Sequence, residues 1–194
     1  MISQSTTADK QKDILAAALR LFVEFGFHGA PTSRIAAEAG VANGTLFHYY
    51  KTKEELMIAL YHDIKEDMSG WLASNVNEKD PIEKRFRESF VQSLQWALQH
   101  RDKFYYIQQF HFSPHLSKVS PQVIREQTKF HVQLIEEGKA AKLLKPLPAD
   151  LVFTLVSSHV FGLYQYLVDA GFSAARQKKV ISDSFEMLWD MLTK

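Results

Sequence analysis

The chain has 194 residues, of which 46% are hydrophobic, and a formal net charge of +1. This composition excludes wholesale disorder, and the charge indicates no particular partner. The absence of cysteine excludes disulfides, thiolate metal ligands and a cysteine nucleophile. The polar segment 1–13 lacks the apolar centre of a signal peptide, so we predict a cytoplasmic protein.

Helical periodicity runs through almost the whole chain, and no segment alternates as a strand or repeats at a fixed period. The pattern predicts an all-α protein of about nine helices. These helices cover roughly residues 14–25, 33–39, 44–50, 53–76, 80–100, 102–112, 121–138, 149–170 and 173–192. The residues predicted to cap helix starts are Thr32 or Ser33, Thr52 with Glu55, Asp102 and Ser120.

The predicted helices fall into two groups. The first three are short and separated by tight glycine turns, whereas the later ones are long enough for a helical bundle. We therefore predict an N-terminal three-helix domain over residues 1–55 and a C-terminal helical domain over residues 56–194.

The second and third predicted helices, with the glycine-containing turn at 40–43, have the layout of a helix-turn-helix. At about 100° per residue, Leu46 and Tyr50 share the side that faces the core. The opposite side carries the residues that can meet DNA, namely Gly44, Thr45 and His48, with Phe47 and Tyr49 on the two flanks. The alternative is an ordinary corner between two helices inside a bundle.

These residue types suit the major groove. Gly44 lets the backbone approach DNA, and Thr45 and His48 offer a methyl group and polar atoms to base edges. The side chains placed to bond phosphates, which position a protein without specifying sequence, are Ser33, Arg34, Tyr49 and Lys53.

Residues 14–61 resemble the DNA-binding domain of the tetracycline-repressor (TetR/AcrR) family. The resemblance rests on I-x-x-A-A-x-x-L-F, G-F, I-A-x-x-A-G-V, G-T-L-F-x-Y-Y and K-x-K-E-E-L in that order. It implies a dimeric, ligand-responsive transcription regulator, usually a repressor, whose domain 1–55 binds operator DNA and whose domain 56–194 binds the effector and dimerises. The DNA contacts that it implies are Thr32, Ser33, Arg34, Ala42, Asn43, Gly44, Thr45, Phe47, His48, Tyr49 and Lys53.

One position departs from the family pattern. Members commonly have tyrosine where this chain has Phe47, and the tyrosine hydroxyl bonds a phosphate. Phe47 has no hydroxyl, so packing against a sugar or a thymine methyl group would replace that bond.

Residues 151–168 contain no Asp, Glu, Lys or Arg. The length meets the threshold of about 18 residues for a membrane span, but interspersed polar residues and the lack of a flanking Lys/Arg cluster favour a soluble protein without a membrane partner. We expect a two-fold dimer interface with the last helix; intramolecular burial alone is the alternative. The predicted interface residues are Leu155, Ser158, Phe161, Gly162, Leu167, Phe185 and Trp189.

The stretch 71–135 is rich in aromatic residues, and the family resemblance places an effector cavity among its helices. The residues that we expect to line this cavity are Phe90, Trp96, Phe110 and His111. Ordinary core packing is the alternative for each ring. The aromatic excess favours a small hydrophobic or aromatic effector. No cofactor or metal is predicted, because Pro114 interrupts the helical spacing of His111 with His115.

Two other classes of protein compete with a regulator. An all-helical enzyme would need a nucleophile–base pair or a metal cluster, and no spacing suggests one. A constitutive DNA-binding protein without an effector would carry more positive charge, because its affinity depends on phosphates. We therefore predict a sequence-specific repressor, not an enzyme, that an effector releases from its operator.

Overall fold

The computed structural model describes residues 7–193. Over these residues the chain is all-α, as predicted. The helices are α1 (Thr7–Gly29), α2 (Thr32–Glu38), α3 (Asn43–Tyr49), α4 (Lys53–Asn75), α5 (Ile82–Gln99), α6 (Arg101–His111), α7 (Pro121–Ala140), α8 (Ala149–Asp169) and α9 (Ala174–Leu192). A short 3₁₀ helix (Pro114–Lys118) and an isolated antiparallel bridge between Leu144 and Thr193 were not predicted. Part of the polar N-terminal segment behind the cytoplasmic prediction lies outside the described residues.

The start of α4 confirms the predicted capping box. The hydroxyl of Thr52 accepts the N–H of Glu55 at 3.0 Å. The Glu55 carboxylate in turn accepts the N–H of Lys51 at 2.7 Å. One backbone donor in the first turn of α4 and one just before the helix are thus satisfied by side chains, which fixes where α4 begins.

Other helix starts show where local patterns succeed and fail. Ser120 caps α7 as predicted, accepting the N–H of Val123 at 3.3 Å. The predicted cap of α2 at Thr32 or Ser33 is wrong, because the extended residue before the helix is Pro31 and no side chain caps it. Proline already has the φ that this position needs, so Thr32 enters the first turn. Asp102 likewise lies inside the first turn of α6.

Gly26 interrupts α1 at the place where the sequence predicts its end. Its backbone has φ 69° and ψ 172°, a left-handed conformation that glycine adopts without steric cost. Helical residues resume beyond it as far as Gly29. The glycine therefore breaks the helix, and a further short turn follows it.

The chain divides into two compact units. Unit 1 joins Met1–Lys65 with Arg101–Val119, and unit 2 joins Glu66–His100 with Ser120–Lys194. The helix α4 belongs to both, because it runs without interruption through Lys65 and Glu66. This division follows compactness, so the predicted functional boundary between residues 55 and 56 stays a prediction.

Unit 1 packs α1 against α2 and α6, and α2 against α3. Aromatic rings fill the space between α4 and α6, where Tyr61 and Phe110 stack with centroids 4.4 Å apart. The buried hydroxyl of Tyr106 donates to the carbonyl oxygen of Met57 at 2.8 Å. The first half of α4 is therefore held by α6 through both stacking and a buried hydrogen bond.

Unit 2 packs α5 against α7, α8 and α9. Phe185 on α9 is 1% exposed and lies 5.7 Å from the ring of Phe90 on α5. The buried Arg85 on α5 forms an ion pair with Glu137 on α7. Between α8 and α9, His159 Nε2 and Ser184 Oγ lie 2.6 Å apart. The four helices thus share one core that combines rings with paired polar groups.

Candidate nucleic-acid interface

The turn between α2 and α3 fixes the position of α3. Gly40 has φ 67°, which ends α2 in a left-handed residue. The N–H of Val41 then donates to the carbonyl oxygen of Ala36 at 3.0 Å. On α3 itself, Leu46 is 0% and Tyr50 is 8% exposed, so both anchor the helix to unit 1. The predicted inward face of this helix is confirmed.

The outward face of α3 is open to solvent. Gly44, Phe47 and His48 are exposed, and Thr45 and Tyr49 are partly buried. A Cβ atom added to Gly44 would meet no neighbouring atom within 4 Å, so the packing of the described protein does not require glycine at this position. The helix carries no acidic side chain that would repel phosphates. The predicted DNA-facing residues are thus brought together on one surface.

The start of α2 supplies a second part of this surface. Ser33 and Arg34 are exposed, and Thr32 is partly buried. The guanidinium of Arg34 lies 4.1 Å from the centroid of the Phe25 ring. The contact with the ring restrains the guanidinium, and because Arg34 is exposed its N–H groups can reach a phosphate.

The loop after α3 and the start of α4 add positive charge. Lys53, a predicted contact, is partly buried and lies with its ammonium 5.8 Å from the centroid of Phe22, and burial lowers the pKa of Lys53. The sequence prediction omits Lys51, which is exposed and donates from Nζ to the carbonyl oxygen of His48 at 3.4 Å. The K-x-K pattern of residues 51–53 could have predicted Lys51 as a contact, because it places two lysines around the start of α4. Ala42 and Asn43, at the other end of α3, are exposed.

The four residues predicted to line an effector cavity fall in different units. Phe90 is 3% and Trp96 is 0% exposed within unit 2, whereas Phe110 is 0% exposed within unit 1. His111 lies at the exposed end of α6 in unit 1. Neither unit alone brings the four together, because an aromatic-rich sequence does not distinguish a packed ring from one that faces a cavity. Their role as lining residues stays a prediction.

Unit 2 contains a cavity of about 320 Å³ between the end of α4 and α7. Leu72 and Val76 contribute from α4, and Phe130 and His131 contribute from α7. The volume lies at the lower end of the range for ligand pockets. None of the four predicted lining residues contributes to it.

The α8–α9 surface, formed by the outward sides of those two helices, carries large apolar side chains among polar ones. By length and composition alone α8 is long and apolar enough to cross a membrane, with a mean hydropathy of 1.4, yet only 22% of that window is buried within the chain. The large apolar side chains that it leaves exposed are Leu151, Tyr166, Met187 and Met191. The sequence prediction included none of these four.

The predicted interface residues divide into two sets on this surface. Ser158 and Gly162 are exposed, and Leu155, Phe161 and Trp189 are partly buried. Leu167 and Phe185 must be removed from the prediction, because they are 3% and 1% exposed and pack in the core of unit 2. Their helices turn those positions inward, which a helix that is apolar nearly all round does not reveal from sequence.

The helix α3 is anchored by Leu46 and Tyr50, follows a glycine turn and exposes a face that begins with a glycine. This arrangement is that of the helix-turn-helix class of DNA-binding proteins. Residues 14–60 match the family described as "Bacterial regulatory proteins, tetR family". Residues 61–194 match "Tetracyclin repressor-like, C-terminal domain". The chain therefore belongs to the tetR family of regulatory proteins, which confirms the resemblance found in the sequence.

Individual proteins show the same relationship. The chain is 43% identical over 82 residues to the HTH-type transcriptional regulator RutR of Escherichia coli, a match covering 42% of this chain and 34% of RutR. It is 26% identical over 163 residues to the HTH-type transcriptional repressor KstR2 of Mycolicibacterium smegmatis, covering 78% and 76%. A crystal structure of a tetR family transcription regulator from Shewanella superposes with a TM-score of 0.89 at 30% identity, covering 95% of this chain and 98% of that one. The match to RutR thus spans about a third of that protein's length.

Proposed function

We propose that the protein is a sequence-specific transcriptional repressor that binds operator DNA as a homodimer in the cytoplasm and is released by a small-molecule effector. One observation carries the proposal: Gly44 and His48 are exposed on α3, while Leu46 and Tyr50 hold the helix rigidly to unit 1. Groups that contribute little to the protein's own packing are presented on a fixed backbone, which is what base recognition requires.

The chemistry of the surface assigns roles to its parts. With α3 in the major groove, Thr45 and His48 meet base edges, and the backbone at Gly44 approaches the DNA closely. Arg34, stacked on Phe25, and the lysines around the start of α4 contact phosphates on the two sides of the groove. The first set of residues discriminates between sequences, whereas the second contributes affinity for any duplex.

We propose that a second copy of this chain binds the α8–α9 surface. Proteins of this family form dimers, and the exposed Tyr166 and Met187 are the kind of large apolar side chains that a stable interface buries. Gly162 is exposed beside them and permits close approach of two helices. To enter successive major grooves, the two α3 helices of such a dimer must lie about 34–36 Å apart, or a multiple of it.

The helix α4 provides the route for release. It begins at Lys53, beside the DNA-facing surface, and continues as one helix into unit 2. Within unit 1, the carboxylate of Glu54 in its first turn accepts hydrogen bonds from His115 at 2.9 Å and from Lys118 at 2.5 Å. These bonds hold the segment after α6 to the start of α4, and they lower the pKa of Glu54. Displacement of α6 by an effector would therefore move the start of α4.

The energy that this release requires is modest. An effector that binds the DNA-incompetent arrangement about 100-fold more tightly contributes about 2.7 kcal/mol toward release. A saturating effector that binds the protein and leaves operator affinity unchanged would contradict this coupling.

A binding experiment with genomic DNA fragments tests the proposed class of function. A repressor should retard few fragments in a gel shift, a constitutive DNA-binding protein many, and an enzyme none. Lys53→Ala should weaken binding to all fragments and reduce its dependence on salt, because a phosphate contact is lost. Lys12→Ala is the matched control, since it removes the same charge from an exposed site on α1. Equal binding by both variants would remove Lys53 from the interface.

A further inference from the structure

We infer that two side chains of α1, Arg20 and Phe25, are positioning residues for DNA binding: they keep the guanidinium of Arg34 available for a phosphate. Arg20 does so by occupying the carboxylate that Arg34 would otherwise pair with, and Phe25 does so by holding the guanidinium on its ring. The inference rests on the proposed function, because it names the residues that control one of the proposed phosphate contacts. Neither residue belongs to the predicted set of DNA contacts.

The helix α2 itself offers Arg34 a partner, which is Glu38. The two residues lie four positions apart on α2, a spacing that brings side chains on one face of a helix within reach of each other. Opposite charges at this spacing attract and form ion pairs. Such a pair would occupy the guanidinium and cancel the charge that a phosphate contact needs.

The structure shows a different pairing. The Nε atom of Arg20 on α1 donates to the carboxylate of Glu38 at 2.6 Å. Over residues 7–193, no carboxylate oxygen lies within 4.0 Å of the guanidinium nitrogens of Arg34. A residue 18 positions before Glu38 therefore holds the acidic side chain of α2, and Arg34 keeps its charge.

The ring of Phe25 determines where the guanidinium of Arg34 lies. The guanidinium carbon is 4.1 Å from the ring centroid, within the range of a cation–π contact. Phe25 is 38% exposed, whereas Phe22, one turn earlier on α1, is 0% exposed and packs in the core. Unlike a carboxylate, a ring does not neutralise the cation, so Arg34 retains both its charge and its N–H donors for a phosphate.

The pair of Arg20 with Glu38 is too exposed to matter much for folding. The two side chains are 54% and 32% exposed, and ion pairs in water contribute little to stability. The pair is nevertheless enough to decide which arginine the carboxylate meets. Without Arg20, Glu38 would pair with Arg34, and only the molecules that lack this pair would make the phosphate contact.

Fluorescence anisotropy tests the role of Arg20 on the genomic fragment that the unsubstituted protein retards most strongly in a gel shift. Arg20→Met should weaken binding by about two- to threefold at each copy of the chain and about five- to tenfold for a dimer, because Glu38 captures Arg34. Arg20→Lys keeps the ion pair and should bind as the unsubstituted protein does. Lys12→Met removes the same charge from an exposed site on α1 and should leave affinity unchanged.

Two further backgrounds separate positioning from direct contact. In a protein that carries Glu38→Gln, no carboxylate remains to capture Arg34, so adding Arg20→Met should not change affinity. In a protein that carries Arg34→Met, adding Arg20→Met should likewise not change affinity. An equal loss in all three backgrounds would overturn the inference, because Arg20 would then contact DNA itself or support the fold. No loss in the unsubstituted background would overturn it as well.

The same comparison applies to Phe25. Phe25→Leu should weaken binding by about two- to fivefold at each copy, because the cation–π contact is lost, whereas Phe25→Tyr keeps the ring and should not. A loss that persists in the Arg34→Met background would show that Phe25 acts apart from Arg34 and would overturn its role.

Melting of the free proteins separates positioning from stability. Arg20→Met should change Tm little, because the lost ion pair is exposed. A fall in Tm that accompanies the loss of affinity, and that Glu38→Gln does not reverse, would assign Arg20 a structural role and overturn the inference.

The gel shift of the unsubstituted protein keeps the two proposals distinguishable. Retardation of few fragments, with equal affinities for all Arg20 and Phe25 variants, would overturn the positioning roles and leave the repressor function intact. Failure to retard any fragment would overturn the proposed function and, with it, this inference.

Discussion

The exposed face of α3 in unit 1 and the α8–α9 surface of unit 2 differ in kind. The first presents Gly44, Thr45 and His48, which are small or polar, whereas the second leaves Tyr166 54% and Met187 71% exposed. Water solvates the exposed face of α3 well, so the protein can dissociate from DNA without that face causing aggregation. Large apolar groups in water favour lasting association. The difference fits the proposed function, in which one surface recognises DNA reversibly and the other dimerises stably.

The strongest way to break this comparison is to charge the apolar surface. Met187→Glu should convert the dimer to a monomer, because a carboxylate would be buried in the interface. Loss of two-point attachment should then weaken operator binding by about 100-fold or more. Sedimentation equilibrium and fluorescence anisotropy measure the two effects. Ser182→Glu, exposed on another side of α9, is the matched control. A dimeric Met187→Glu protein would show that α8–α9 pairing is not the interface.

Neighbouring residues of α8 sharpen the same comparison. Leu167 is 3% exposed. Leu167→Ala should lower the free energy of unfolding by about 2–5 kcal/mol, because it leaves a cavity in the core. Tyr166→Ala should instead weaken dimerisation, so that the dimer, and the part of Tm that it contributes, are lost at protein concentrations where the unsubstituted protein still dimerises. Urea unfolding and melting across a range of concentrations distinguish the two. Identical behaviour of both variants would contradict the assignment of one residue to the core and the other to the surface.

On the DNA-facing side, Thr45→Ala and His48→Ala should reduce discrimination between operator and unrelated DNA. Each lost base contact should lower the difference in binding free energy by about 1–3 kcal/mol, with little change for unrelated duplexes. Competition binding measures this ratio. Unaltered selectivity in both variants would reject the α3 face as the base-reading surface.

A smaller effect separates function from packing at one position. Gly44→Ala should preserve or raise folding stability, by up to about 1 kcal/mol, because alanine favours helices and the added Cβ would meet no atom within 4 Å outside the adjacent residues and the backbone of α3. Operator affinity should fall, because the methyl group would intrude where the backbone approaches DNA. Anisotropy and urea unfolding on one preparation test both. A fall in stability with unchanged operator affinity would assign Gly44 a structural role.

A further expected effect concerns pH. Burial places the pKa of Lys65 in the folded protein at about 8, below its value in the unfolded chain. Above that pH the unfolded chain binds more protons, so the free energy of unfolding should rise with pH up to the ordinary lysine pKa. Subtracting the profile of Lys65→Met, measured in urea at each pH, isolates this contribution from His111 and the tyrosines. Parallel profiles would show that Lys65 is not desolvated.

Local sequence predicted most of the helices and the residues of the DNA-facing surface. The spacing of Leu46 and Tyr50, the turn at Gly40 and the capping box at Thr52 each involve groups a few residues apart, so the chain specifies them without distant partners. The failed cap at Thr32 is the local exception, since Pro31 satisfies the helix start in another way.

What the sequence by itself determined is the all-α architecture, the order of the helices and the side of α3 that turns outward, because periodicity and turn chemistry act over short distances. Only the tertiary structure decided that Leu167 and Phe185 turn inward while Tyr166 and Met187 stay exposed. It also showed that Lys65 has no carboxylate partner among the described residues. Burial and ion pairing depend on which distant helices pack together, and a uniformly apolar or charged stretch carries no information about that choice.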